Sequence, residues 1–363
     1  MQHKHGNAPI QIRSDRTKTT DVSSFPELNV RDEQWRYLAP DRLGSLLGSL
    51  SPYTGSISGV QLASATKEDG FALPEDVITA KSWNQGSWHG LDLASDAKVT
   101  VADLHSSDRG VALNLIVRNQ KHSKNTLILN HTGSTELAES VQIDVADESQ
   151  LTVVTIANLA DDAVLTSAHF ARIGRNATLT HIVVSLTGKT IRVVPSVSFA
   201  GQGGSVEMLG AYFANGDQYI ENRPFVDHNE PNCTSNVTYK GALQGAKAHT
   251  VWVGDVLIRQ AAEGTKTYEL NRNLLLTDGA RADSVPNLEI ETGQIEGAGH
   301  ASASGRFDDE QLFYLQARGI SELEAKRLVV KGFLNDVISQ IDSEELVERL
   351  TNIIATHLEG DLK

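Results

Sequence analysis

The long middle of the chain alternates apolar and polar residues in short runs, and turns rich in glycine, asparagine and aspartate separate these runs. Between residues 97 and 304 the runs are rich in valine, isoleucine, threonine and leucine, for example over residues 111–117, 151–156 and 178–184. Alternation with a period of two is typical of strands, and helical periodicity hardly occurs between the runs, so the pattern predicts an all-β region. Many strands without intervening helices also disfavour a sheet built from β-α-β units.

The turns of this region are followed by similar sequences. Residues 175–179 and 203–208 each place small or polar residues before alternating apolar positions. The spacing of such turns, about 25–35 residues, indicates a parallel β-helix, a solenoid whose coils stack strand on strand. A jelly roll or a β-sandwich with the same strands stays open on the pattern alone.

Both flanks of the β region have helical features. The first 84 residues are polar and mixed, with short helix candidates on either side of Pro40 and a tip that we expect to be disordered. Near the other end, Ser321 and Glu324 form a capping-box pattern ahead of a helix with apolar residues every three or four positions. We predict an N-terminal helical and irregular segment over residues 1–84, a β-helix core over residues 85–304 and a C-terminal helical domain over residues 305–363.

Charge and cysteine content exclude several classes of function. The chain has 46 acidic and 32 basic residues, a net charge of −14, which disfavours nucleic acid as the main partner. Its single cysteine, Cys233, excludes a disulfide framework and a four-cysteine metal site. No apolar run is long enough for a transmembrane helix and the start lacks a signal-peptide core, so we expect a soluble, cytoplasmic protein without a membrane partner.

Sequence motifs of common enzymes are missing, namely GxSxG, HExxH and the phosphate-binding GxxxxGK[ST]. Cys233 follows His228 in a proline-containing turn, and we interpret it as a small buried side chain rather than a nucleophile. His300 lies among small residues where the β region ends, so its imidazole is approachable and can bind iron or zinc. By composition alone, an ordinary hydrogen-bonded histidine is the favoured interpretation. The remaining histidines considered have no ligand spacing and are interpreted as solvated or satisfied within the core: His131, His169, His181 and His249.

The segment after the β region carries the most specific motif. Residues 310–321 read EQLFYLQARGIS, and Gly332-Phe333 follows them. Residues 286–290, PNLEI, and the segment around His300 precede them. In this order the motifs resemble the SufB/SufD family of iron–sulfur cluster scaffold proteins, over about residues 207–341.

The resemblance implies a fold and a set of partners. It implies a mainly β protein, a right-handed parallel β-helix flanked by N-terminal and C-terminal helical segments. It also implies a non-catalytic scaffold that pairs with SufB through the β-helix, docks the ATPase SufC through its C-terminal helices and can homodimerise in isolation. His300 would be a ligand of a nascent iron–sulfur cluster shared with SufB, with no cofactor bound stably by this chain alone. The residues that match the SufC-docking segment are Gln311, Phe313, Tyr314, Arg318, Gly319 and Phe333.

Two departures from SufB favour the SufD branch of the family. SufB carries an essential cysteine where this chain reads DGARA over residues 278–282, and a glutamate where it has Ala301. Some SufD proteins have a cysteine at the position of Ala298, so His300 is the plausible ligand on this side. Two alternatives remain: a carbohydrate-active β-helix enzyme, although the sequence shows no stacked set of catalytic charges, and an assembly solenoid without a metal role.

Overall fold

Two parallel sheets form the body of the chain, for which the computed structural model describes residue 13 and residues 16–95, 99–306, 309–341 and 344–360. Sheet one contains β1 (Ser51–Pro52), β3 (Ala63–Ser64), β4 (Ser87–Asp92), β6 (Arg109–Asn119), β8 (Glu136–Val145), β10 (Val164–Ile173), β12 (Thr190–Phe199), β14 (Tyr219–Asn222), β15 (Phe225–His228), β17 (His249–Ile258) and β19 (Arg281–Ile290). Sheet two contains β2 (Ser56–Ser58), β5 (Val99–His105), β7 (Lys124–Thr132), β9 (Gln150–Asn158), β11 (Thr178–Thr187), β13 (Ser205–Asn215), β16 (Thr234–Gln244), β18 (Lys266–Leu275) and β20 (Gly297–Arg306). The described α-helices are α1 (Val77–Gln85), α2 (Asp309–Ala317), α3 (Glu322–Ile338) and α4 (Glu344–Gly360).

The chain passes from one sheet to the other and back with each coil. Thr178 of β11 lies beside Ser205 of β13, and Ser205 lies beside Thr234 of β16, so one coil takes about 30 residues. From β4 onward every such pairing within a sheet is parallel in the described residues. The structure is a parallel β-solenoid of about eight turns. The predicted β-helix is confirmed, and a sandwich of antiparallel strands is not observed.

Apolar side chains of both sheets fill the space between them. In sheet two, Leu151, Leu179 and Val206 stack in register on successive coils. In sheet one, Leu165 and Ile191 do the same, and all five side chains are buried. Each stack removes apolar surface from water at about 25 cal/mol per Å², so the interior is the main source of stability of the solenoid.

The outer faces of both sheets are also covered. Residues of the N-terminal segment, such as Trp35 and Leu43, pack on sheet one, where Val251 is buried beneath them. Helices α3 and α4 place Leu334 and Leu350 against sheet two. Because the outer face of each sheet is also covered, strands such as β11 carry apolar residues on the outer face too, for example Ile182 and Val184.

The flanks differ in part from their prediction. Helix α3 begins after Ser321, whose side chain accepts a hydrogen bond from the Glu324 N–H, as predicted. The expected helices around Pro40 are instead one 3₁₀ segment, Pro40–Leu47, interrupted at Gly44, whose φ of 55° is incompatible with a continuous helix. Helix α1 was not predicted, although Asp76 caps its first N–H groups and was the available signal.

Candidate functional site

The C-terminal end of the solenoid is open. Strand β19 pairs with β17, and β20 pairs with β18, but no described strand pairs with the outer edge of either. An edge strand presents backbone N–H and C=O groups on which another strand can pair. This end also exposes two large apolar side chains, Tyr268 and Ile290, at 46% and 45% of their surface. The end therefore has the features of an interface with another chain.

His300 lies on this open end. It is exposed on β20, and its neighbours Gly299, Ala301 and Ser302 are small. In register it lies beside Glu269 of β18. Register partners on adjacent strands project to the same face of a sheet, and Glu269 faces the interior, so His300 lies over the open mouth of the solenoid interior.

The carboxyl group of Glu269 is buried without a partner. Glu269 is 1% exposed, and neither of its carboxyl oxygens has a hydrogen-bond partner. Burial, assisted by the negative charge of Asp255, raises the pKa of Glu269 to about 8. The carboxyl group fits against Gly254 of β17, where a Cβ atom would lie 2.7 Å from Oε1 of Glu269. The same Cβ atom would lie still closer to Cη2 of Trp252, so a residue other than glycine at position 254 would displace the indole as well as this carboxyl group.

The mouth of the interior holds further polar atoms without partners. The indole N–H of Trp252, the hydroxyl of Tyr239 and the hydroxyl of Ser284 are buried and have no hydrogen-bond partner. Unpaired buried groups are rare in folded proteins. Trp252 lies beside the same Gly254 as the Glu269 carboxyl group, so at least one of these unpaired donors lies close to Glu269.

The arrangement can supply part of a metal site. Imidazole nitrogen and carboxylate oxygen are both ligands of iron. However, no group of three or more His, Cys, Asp or Glu residues able to hold a metal ion occurs among the residues that the structure describes. Within the described residues, His300 and Glu269 therefore supply at most two such ligands at this end.

Cys233 lies four positions before Val237, the register partner of Glu269, and its thiol is not activated. Its side chain is buried, with Sγ 3.5 Å from the carbonyl oxygen of Pro231, and burial raises the pKa of the thiol. His228 does not pair with it, since Nε2 of His228 contacts Oγ of Ser235 at 2.8 Å. Burial lowers the pKa of His228 to about 4. The structure agrees with Cys233 as a buried side chain.

Three histidines that looked scattered in the sequence meet inside the solenoid. Nε2 of His131 lies 2.9 Å from Oε1 of Glu139, and the hydroxyl of Ser167 donates to the same carboxylate. Nε2 of His169 lies 2.8 Å from Oγ of Ser167, and its Nδ1 lies 2.7 Å from Nε2 of His181. We call these five residues the interior polar chain. The predicted burial of the three histidines in the core is confirmed, although Nδ1 of His181 has no hydrogen-bond partner, and the prediction that they are scattered is wrong.

The charges of the interior polar chain are set by burial and by one ion pair. Burial alone disfavours the charged imidazole, but the carboxylate of Glu139 raises the pKa of His131 above its usual value. The same pairing lowers the pKa of Glu139 despite its burial. Burial lowers the pKa of His169 to about 4. The interior polar chain therefore holds one buried ion pair, His131 with Glu139, next to neutral imidazoles. His249, in contrast, lies nearer the surface, with Nε2 2.7 Å from Oδ2 of Asp283.

The C-terminal helices carry the residues that match a docking segment. Phe313 and Tyr314 of α2 are 72% and 55% exposed, and the Arg318 guanidinium lies 4.4 Å from the Tyr314 ring centre. Gly319 ends this helix with a φ of 85°. Phe333 is partly buried against sheet two, where the ammonium group of Lys240 lies 5.2 Å from its ring centre. The side chain of Gln311 lies outside the described residues.

Comparison with known proteins identifies the family. The SUF system FeS cluster assembly, SufBD core domain, matches residues 102–333. An iron–sulfur cluster assembly SufBD family protein of Mycobacterium bovis is 46% identical over 93% of this chain and 91% of its own length. The chain belongs to the SufBD family. A Mycobacterium leprae member is 44% identical to this SufBD protein, over 93% of this chain and 92% of its own length.

The family match includes the site. The matched residues run from β5 into α3 and so contain the last coil with Glu269 and His300. A second SufBD family protein of M. bovis is 28% identical over 61% of this chain and 26% of its own length. In the part of the present chain that the structure describes, no helix is long and apolar enough to cross a membrane.

Proposed function

We propose that this SufBD protein is a SufD-type scaffold subunit of a cytoplasmic complex that assembles iron–sulfur clusters. The observation that carries the proposal is the exposed imidazole of His300 at an open solenoid end with two unpaired strand edges. Its last coil pairs with SufB, and its C-terminal helices dock SufC. The nascent cluster is the cargo of the complex, and ATP hydrolysis belongs to SufC, so this chain has no catalytic residue in the proposal.

The composition of the last coil supports pairing with another chain. Strand β20 reads GAGHASASGR, and its small residues allow a second backbone to approach closely. Strand addition at an edge satisfies the backbone groups that β19 and β20 leave unpaired. Burial of Tyr268 and Ile290 in the same contact would add apolar stabilisation.

The site chemistry supports sharing a cluster with a partner. Iron–sulfur clusters are held mainly by cysteine thiolates, and the thiol of Cys233 is buried against the carbonyl oxygens of Gly201 and Pro231. His300 can supply one nitrogen ligand, as histidine does in some clusters. SufB must then supply thiolate across the interface.

The pairing surface can be tested by photo-crosslinking. We expect p-benzoylphenylalanine in place of Ser302, exposed on β20, to form an adduct with SufB when the co-expressed complex is irradiated. The same group in place of His105, exposed on β5, is the control and should give no SufB adduct, because β5 lies at the other end of sheet two. The reverse pattern would contradict the proposed surface. Without SufB, an adduct between two copies at position 302 would report the homodimer.

Docking of SufC can be tested on α2. Exposed aromatic residues dominate many interfaces, so the double variant Phe313→Ala, Tyr314→Ala should bind SufC at least about tenfold more weakly. Leu73→Ala, which removes an exposed apolar side chain of the N-terminal segment, is the matched control. Isothermal titration of the purified chain with SufC measures both. Unchanged affinity in the double variant would place the docking surface elsewhere.

A further inference from the structure

A carboxyl group without a partner lies one strand behind the exposed imidazole. Glu269 is 1% exposed, and both of its oxygens are unpaired. Such a group destabilises a folded chain unless something binds it, and this makes it a candidate for a ligand site. Its surroundings indicate what that ligand is.

Glu269 and His300 are placed to reach the same ion. They are direct register partners on β18 and β20, and their side chains project to the same face of sheet two. Adjacent strands lie about 4.8 Å apart, and metal ions bind imidazole nitrogen and carboxylate oxygen at about 2.0–2.2 Å. One ion between the two side chains can therefore contact both.

The last coil leaves room for the carboxyl group to turn toward His300. In the coils below, the same row of sheet two holds Met208 and Val237, which fill the interior. In the last coil, Ala298 and Ser302 flank His300 on its own strand. Across the mouth, β19 presents Ser284, whose buried hydroxyl is unpaired. Small side chains thus flank His300 on β20, and Pro286 of β19 lies beside Gly254 in register on the side of the open end.

We infer that Glu269 is a second iron ligand, at the same site where His300 binds the iron. This inference rests on the proposed function and deepens it. The chain then supplies one nitrogen and one oxygen donor, and the partner supplies thiolate. Nitrogen and oxygen donors suit a single Fe²⁺ ion, whereas thiolates hold a completed cluster, so the pair Glu269 and His300 receives iron before sulfide is added.

The test is a titration with Fe²⁺ alone. The sample is the complex of this chain with SufB and SufC, purified anaerobically and free of metal. Glu269→Gln keeps the shape of the side chain and removes the anionic oxygen ligand. We expect it to raise the Kd for Fe²⁺ about 10–100-fold and to remove an oxygen neighbour from the X-ray absorption spectrum of the bound iron. Glu207→Gln is the matched control. Glu207 is also a glutamate of sheet two, but it lies on the outer face, where its carboxylate accepts a hydrogen bond from Asn236.

The result separates the inference from the proposed function. Weakened binding in both Glu269→Gln and His300→Ala supports the shared site. Weakened binding in His300→Ala with wild-type binding in Glu269→Gln overturns the inference and leaves the proposed role of His300 intact. Wild-type binding in His300→Ala overturns both. Co-elution of each variant with SufB confirms that it is folded. Glu269→Asp, whose carboxylate is one methylene shorter, should bind Fe²⁺ with intermediate affinity. Wild-type affinity in both Glu269→Gln and Glu269→Asp would contradict the inference.

Discussion

Glu139→Ala is expected to lower the free energy of unfolding by about 3–5 kcal/mol, the typical cost of breaking a buried ion pair from one side. Its carboxylate is buried between His131 and Ser167, which both lose their partner in the variant. The loss extends to His169, because Ser167 connects it to the carboxylate. Denaturant unfolding followed by circular dichroism measures the change.

The surface of the same solenoid offers a matched control. Asp162 also accepts hydrogen bonds from a serine, Ser134, and pairs with a cation, Arg109, but its side chain is 54% exposed. Exposed ion pairs contribute about 0–1 kcal/mol, so Asp162→Ala should unfold at nearly the wild-type denaturant concentration. Equal unfolding midpoints for the two variants would show that the interior polar chain does not stabilise the coils.

The repeating architecture could be predicted because it has local causes. Turn residues and alternating runs recur about once per coil, and the hydroxyl of Ser321 with Glu324 three residues later defines a helix start. The family motif of residues 310–321 lies on α2 and the segment after it. These signals depend only on residues close together in sequence.

The contacts inside the solenoid could not be predicted for two physical reasons. Both faces of each sheet are buried, so composition does not show which alternate residues face the interior, as in the run from His131 to Glu139. Coils also differ in length, so no fixed period places Glu269 beside His300. His169 and His181 meet across the interior from opposite sheets, a contact that no spacing along the chain encodes. Sequence reasoning therefore selected His300 but missed Glu269, which lies in a strand, Lys266–Leu275, that was not predicted; the alternation in KTYELNRNLL was the available signal.

His300→Ala is expected to abolish cluster assembly in the complex of this chain with SufB and SufC. Apart from His300, β20 contains no histidine, cysteine or carboxylate residue, so no neighbour on the strand can replace the lost nitrogen ligand. Loss of a direct ligand should reduce bound cluster more than about 100-fold, since removing a residue that only supports a ligand typically costs about 10–100-fold. The fold should be unaffected, because His300 is exposed.

His105→Ala is the control for this substitution, since His105 is another exposed strand histidine, with Nδ1 3.0 Å from Oγ1 of Thr132 on the neighbouring β7. The decisive measurement is iron and acid-labile sulfide per anaerobically purified complex, for the wild type and both variants. The account predicts that the His105→Ala complex carries as much iron and as much sulfide as the wild-type complex. The His300→Ala complex should carry only background levels of both, with SufB and SufC still bound. A His300→Ala complex that retains both partners and carries wild-type iron and sulfide would contradict it, and would leave this chain the role of an assembly solenoid without a metal ligand.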